Sequence, residues 1–227
     1  MITDFHSHVL PSVDHGSDSL GTSLKQIALA NRYGVKRIVA TSHFYPHSRT
    51  ASSFLERREK AFVDLKNAVK DIDVTIALGA EVLICDSIEK LPFINELCIR
   101  GTKTLLLELP FSDFQLSYCR SVYSLSATGY TVVMAHAERY EKSWITETLE
   151  AGAKLQLNAG AFSTFKIKKV LHWLESGDVV AIGSDIHGAD ARAYKAFSKA
   201  AKKVGSVAPQ IIPFSDNLWE SISQNNI

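Results

Sequence analysis

Seven short apolar runs, each ending abruptly in a polar residue, constrain this chain more than any other feature. They occupy residues 2–5 before His6, 37–40 before Thr41 and His43, 74–79 before Glu81, and 104–107 before Glu108. The series continues with 131–135 before His136, 154–157 before Asn158 and 179–183 before Asp185. Runs this short, rich in Val, Ile and Leu and apolar on both faces, fit buried parallel strands. Between them lie helical patterns that close on glycine: 23–33 at Gly34, 121–128 at Gly129, 145–151 at Gly152, 167–176 at Gly177 and 191–204 at Gly205. Glycine just past the last periodic residue is the common left-handed stop of a helix. In four of these five cases a strand run follows at once, which means βαβ units and a parallel sheet.

Seven strands without a G-x-G-x-x-G after the first predict an α/β barrel in preference to a dinucleotide-binding sheet. A chain of 227 residues suits one such barrel, so residues 1–227 read as a single domain. Residues 48–53, after the second strand, form the most loop-like polar stretch. With 46% hydrophobic and 22% charged residues, disorder and disulfide-rich mini-scaffolds are excluded as classes. Lys and Arg number 25 against 24 Asp and Glu, so no basic field advertises nucleic acid. The three cysteines, Cys85, Cys98 and Cys119, contain no C-x-x-C and argue against a disulfide framework. The opening MITDFHSH resembles no signal segment, and no apolar run approaches the roughly 20 residues that span a bilayer. A cytoplasmic protein, not inserted in a membrane, is the expectation.

Active sites of such barrels lie at the C-terminal rim of the strands. That rim would carry His6, His8, His43, Glu81, Glu108, His136, Asp185 and His187. Imidazole and carboxylate are ligands for Zn²⁺, Mn²⁺ or Fe²⁺, and the absence of clustered cysteines disfavours a thiolate site. Residues i and i+2 of an extended segment face the same side, so His6-Ser7-His8 and Asp185-Ile186-His187 can each aim two ligands at one cavity. A lone strand-end histidine is most often structural, and one H-x-H is weak evidence. Five of eight histidines at successive strand ends, with three carboxylates among them, are hard to explain as core filling. Buried carboxylates need partners, and a metal cluster supplies them. His47 and His172, off the strand-end register, are expected to be structural or exposed.

In these residues the chain resembles the polymerase and histidinol phosphatase (PHP) superfamily. It looks most like the manganese-dependent bacterial protein-tyrosine phosphatases of capsule and exopolysaccharide operons. The resemblance rests on D-F-H-S-H-V-L-P-S-V-D at 4–14, T-S-H at 41–43, G-A-E at 79–81, Glu108, A-H-A-E-R-Y at 135–140 and S-D-I-H at 184–187. It runs over essentially the whole chain and implies a distorted (β/α)7 barrel holding three divalent metal ions, Mn²⁺ with Fe or Zn as alternatives. By this resemblance His6, His8, Glu81 and Asp185 hold the first ion. Glu81 bridges to a second that also takes Glu108 and His136, and Asp14, His43 and His187 hold the third. Two departures stand out. The family usually has Asp-Asp-Gly where this chain has Asp14-His15-Gly16, so His15 replaces or assists Asp14 as an alternative. Its relatives often carry Arg-Pro after the last ligands, where this chain has Arg192 in Asp190-Ala191-Arg192-Ala193.

A metal cluster without a redox motif suits hydrolysis, because metal ions lower the pKa of bound water and clamp the oxygens of an in-line displacement. The phosphoryl oxygens then need cations. Arg139, three residues after His136, is the first candidate, since a guanidinium fork matches phosphate geometry. Arg192 and Arg49 are secondary, Arg49 reading better as a solvated loop residue. A cysteine nucleophile is disfavoured: the position six residues on, where cysteine-dependent tyrosine phosphatases place arginine, holds Leu91, Thr104 or Leu125. The resemblance implies a phosphotyrosine protein as partner, such as the tail of a bacterial tyrosine kinase. Alternatives are a small-molecule phosphatase acting on a compound such as histidinol phosphate, or a catalytically silent PHP binding module.

Overall fold

A computed structural model describes residues 1–163 and 166–224. Strand β1 (Ile2–Ser7) leads through helix α1 (Leu20–Arg32) into β2 (Val35–Ala40) and β3 (His43–Phe44). Helix α2 (Ala51–Ala68) precedes β4 (Thr75–Leu78) and β5 (Glu81–Leu83), and the short α3 (Ile94–Leu97) precedes β6 (Thr104–Glu108). Then α4 (Leu116–Ala127), β7 (Thr131–Met134), α5 (Lys142–Glu150), β8 (Lys154–Asn158), α6 (Ile167–Ser176) and β9 (Val179–Gly183) alternate. Helices α7 (Ala191–Val207) and α8 (Ile211–Gln224) follow.

Every strand pairing is parallel. The ladders form two sheets, β1-β2-β4 and β3-β5-β6-β7-β8-β9. Because β3 continues the line of β2, and β5 that of β4, the nine strands make seven staves. The expected seven runs map onto them one for one. The bends between β2 and β3 and between β4 and β5 are held by backbone bonds from Gly79 N–H to Ala40 O (2.9 Å) and from Glu81 N–H to Ser42 O (3.1 Å). At the rim, Ser184 N–H and Asp185 N–H both donate to His6 O, at 3.1 and 2.8 Å, and join β9 to β1. That contact in place of a regular ladder distorts the barrel.

Period-two alternation sorts the side chains. Ile38, Leu105, Leu107, Val132 and Ile182 face the surrounding helices. Phe5, Val39, Ala77, Leu106, Val133, Ala135 and Ala181 fill the barrel's interior with Leu218, Trp219 and Ile222 of α8. Helix α8 thus closes the N-terminal end of the barrel. The same alternation places Glu108, two residues after Leu106, inside and nearer the rim.

Helix α6 ends as expected on Gly177, whose φ of 80° only glycine adopts freely. The expected stop at Gly205 does not occur: α7 runs on to Val207. Its apolar stripe explains this, since Tyr194, Phe197, Ala200, Val204 and Ala208 are all buried at helical spacing across the glycine. The polar stretch at 48–53 also differs from expectation. Its second half is the first turn of α2, capped by Thr50, whose hydroxyl accepts from Ser53 N–H. No helix among the described residues is long and apolar enough to cross a membrane.

Candidate metal centre

Glu81 sits at the centre of the rim, fully buried. Its Oε2 lies 3.1 Å from His6 Nε2, 3.4 Å from His8 Nε2 and 2.9 Å from His43 Nδ1. Its Oε1 lies 2.8 Å from His136 Nε2. Asp185 Oδ1 approaches His8 Nε2 at 3.3 Å and His6 Nε2 at 3.7 Å, while Glu108 Oε1 is 3.5 Å from His136 Nε2. Three groups therefore have donor atoms within 4.8 Å of one another: His6-His8-Glu81, His43-Glu81-Glu108 and His8-His43-His187. Such spacings suit donors placed around ions with bonds of about 2.0–2.2 Å.

The surroundings turn the ligand atoms inward. His6 Nδ1 donates to Gln156 Oε1 at 3.0 Å, which leaves Nε2 for the centre. His8 Nδ1 donates to Asp14 Oδ2 at 2.8 Å with the same result. A second partner on the far nitrogen is the usual support of a metal-binding histidine. Gln156 also accepts from His136 N–H (2.9 Å) and donates to Asn158 Oδ1 (2.9 Å), and Asn158 Nδ2 donates to Asp185 Oδ2 (3.0 Å). Two backbones close this packing. A Cβ on Gly183 would stand 2.5 Å from His6 Cβ, and one on Gly16 would stand 2.2 Å from His8 Cβ.

Strand ends set the aim of His136 and Asp185, both in the left-handed region with φ of 34° and 51°. Residues other than glycine pay for that conformation, and it recurs at functional sites. Arg58 of α2 donates to Gly79 O at 3.0 Å and braces the bend that delivers Glu81. Gln156, Arg58 and the buried Asp4, which accepts from Ser184 N–H at 2.8 Å, are supports that sequence reasoning passed over, and Asn158 was read only as the polar end of a run. Only the polar interruption of an apolar strand at Gln156 could have flagged one of them.

The electrostatics are those of a cation trap. Burial resists ionisation of Glu81, but His6, His136 and His43 hold its carboxyl well below the usual range. Burial likewise resists charge on Asp185, yet His8, His6 and Arg139 outweigh it and keep it ionised. His136 is pushed up to about 9: burial lowers it, and Glu108 and Glu81 more than offset that. His187, by contrast, falls to about 4 through burial and its neighbour His8. Where protons are held this firmly by carboxylates, a divalent ion competes for the same lone pairs. Glu81 Oε2 and His43 Nδ1 are buried without a hydrogen-bond partner, which fits a metal ion as the partner of both.

All the expected site residues except Arg192 converge here. Asp14 does so by facing His8 Nδ1 and the backbone N–H groups of His43 and Gly16. Arg139 pairs with Asp185 Oδ2 and borders a cavity of about 530 Å³ that Lys166, Lys169 and Asn158 also line. Arg192 is exposed in the first turn of α7, and its side chain makes no hydrogen bond or ion pair with the cluster among the described residues. Arg49 donates to Val13 O at 3.3 Å, a brace for the first loop. Cys98 is pushed up to about 12, chiefly by burial, and Cys85 and Cys119 are also raised, so none is a ready thiolate.

The family described as capsular polysaccharide synthesis, CpsB/CapC, matches residues 2–217. The chain belongs to this family. Among CpsB/CapC relatives, it is 30% identical to tyrosine-protein phosphatase CpsB of Streptococcus pneumoniae, over 89% of this chain and 91% of that protein. It is 28% identical to tyrosine-protein phosphatase YwqE of Bacillus subtilis strain 168, over 92% and 87%. A chain from crystal structures of YwqE and CpsB, described as unique metal-dependent tyrosine phosphatases, superposes with a TM-score of 0.78 and 22% identity over 99% of this chain and 95% of that one. An amidohydrolase from Mycoplasma synoviae shares the barrel more distantly, with a TM-score of 0.52 and 11% identity over 92% and 86%. At those identities the superpositions speak for the fold alone, an α/β barrel.

Proposed function

We infer that this CpsB/CapC chain is a metal-dependent protein-tyrosine phosphatase of capsular polysaccharide synthesis. The observation that carries the reading is Glu81, buried among four imidazoles with Oε2 unpartnered, in a family whose relatives are tyrosine-protein phosphatases. His6, His8, Glu81 and Asp185 would hold one ion, and Glu81, Glu108 and His136 a second. His43 and His187 would hold a third, on the side that Asp14 and His15 close. Mn²⁺ suits the carboxylate-rich positions. When bound, the ions supply water activation near neutral pH and neutralise charge on the phosphoryl oxygens.

The chain's own residues do the rest. Gln156 and Asp14 fix the tautomers of His6 and His8. Arg139, half-exposed on Asp185 beside the cavity, is placed to meet the phosphoryl oxygens with a planar fork. Lys166 and Lys169 extend the positive lining outward. Phe111, 72% exposed, lies over Tyr140 with centroids 6.2 Å apart, and Tyr140 lies over His136 at 5.6 Å. An open rim with an aromatic beside the cluster favours an aryl phosphate on an extended chain over a small enclosed metabolite. The partner is a phosphotyrosine protein, such as the tail of a tyrosine kinase, met in the cytoplasm by the whole of residues 1–227.

Steady-state turnover of a phosphotyrosine peptide, a phosphoserine peptide and histidinol phosphate by the Mn²⁺-loaded chain tests this choice. The phosphotyrosine peptide is expected to have the highest kcat/KM. A higher value for histidinol phosphate would move the chain to the small-molecule phosphatases.

A further inference from the structure

Asp14, the carboxylate that the resemblance gives to the third position, faces elsewhere, while Glu81 and Glu108 approach His43 and Asp185 approaches His187 from the first two positions. Asp14 Oδ2 accepts from His8 Nδ1 at 2.8 Å and from His43 N–H at 2.9 Å, while Oδ1 accepts from Gly16 N–H at 2.8 Å. These bonds fix both oxygens. Withdrawing Oδ2 to a metal would release the His8 ring that Asp14 orients. The adjacent residue is placed differently. The ring of His15 lies 4.4 Å from that of His187 and 5.0 Å from that of His43, nearly parallel to both at 19° and 12°. His15 is exposed and has no hydrogen bond or ion pair among the described residues, so turning a ring nitrogen toward those two breaks no polar contact there.

His8, His43 and His187 already bring one nitrogen each within 4.8 Å of one another. Four imidazoles whose centroids lie 4.0 to 6.4 Å apart gain nothing as cations beside each other, and as neutral donors they suit one cation. We propose that His15 joins His43 and His187 as a ligand of the third ion, and that Asp14 acts as a positioning residue through His8. The third position then has imidazole ligands of its own, with Glu81, Glu108 and Asp185 beside them serving the first two positions. Such a site favours Zn²⁺ or Fe²⁺ over Mn²⁺, unlike the two carboxylate-containing positions around Glu81.

This inference rests on the metal-dependent reading above. The test is metal content of the full chain, stripped with chelator, reloaded with Zn²⁺ or with Mn²⁺ separately, and desalted. Wild type is expected to retain about three Zn²⁺ but only about two Mn²⁺, matching the ligand types. His15→Ala should retain about two of either ion, and His15→Asp should gain about one Mn²⁺ over wild type. Asp14→Asn, which keeps an acceptor for His8 Nδ1, should still hold about three Zn²⁺. If His15→Ala keeps the third Zn²⁺, or Asp14→Asn alone loses it, the assignment of His15 is overturned while the metal-dependent reading stands. A wild-type chain that binds no metal overturns both.

Discussion

Glu81 shows how much chemistry one buried carboxylate can organise. Alone in a barrel core it would cost several kcal/mol to ionise. Four histidines, two from the end of β1, one from β3 and one just after β7, compensate that charge. Arg139 has a different relation to the site, because a permanent cation cannot ligate a metal. It touches the cluster through Asp185 and is 41% exposed, so removing it takes away a phosphoryl contact while the ligands stay in place. Arg139→Ala is expected to leave metal content unchanged and to lower kcat/KM for a phosphotyrosine peptide by roughly 30- to 1000-fold, the worth of a charge-assisted contact of about 2–4 kcal/mol. Arg139→Lys should recover part of this, keeping charge without the fork. Unchanged turnover in Arg139→Ala would make the residue a surface arginine. Loss of metal in that variant would make it a support of Asp185. Residue types at strand ends made the donors legible in the sequence. The direction each donor faces was not, because it depends on the left-handed turns at His136 and Asp185 and on bonds from Gln156, which is 150 residues from His6.

At the scale of elements, the staves were readable because parallel strands covered on both faces leave unbroken apolar runs. The splits into β2–β3 and β4–β5 were not, since a bend changes ladder partners without changing composition. Helices read well where a glycine stop and an amphipathic stripe end together, as at Gly177. At Gly205 they part company, and the stripe wins. Helix α8 escaped notice because it packs into the barrel's apolar interior, a surface that exists only once seven staves have closed. Gly205 therefore sits inside a helix, exposed, without a positive φ, and a Cβ there would meet only Ile212 Cδ1 at an ordinary 3.8 Å. Gly205→Ala is expected to stabilise the chain by about 0.5–1 kcal/mol, read as a raised urea midpoint at unchanged m-value. A lowered midpoint would show that α7 needs the glycine's freedom.

Over the whole molecule, the barrel separates two tasks along its axis. The N-terminal end is apolar and plugged by α8, which holds the staves together. The C-terminal rim collects buried imidazoles and carboxylates, with left-handed backbone at His136 and Asp185. Near-neutral net charge agrees with this division, since the function needs a concentrated local field and no global one. The family match over residues 2–217 takes in every residue of the rim and the first half of α8. Hydrolysis by that rim must stop when its cations are removed and must not depend on Cys85, Cys98 or Cys119. The most direct measurement is phosphotyrosine-peptide turnover by chain stripped to verified metal-free content, before and after adding Mn²⁺, with and without prior thiol alkylation. Turnover should be absent in the stripped chain, return with Mn²⁺, and be indifferent to alkylation; undiminished turnover in excess chelator at near-zero metal content would contradict a metal-dependent phosphatase.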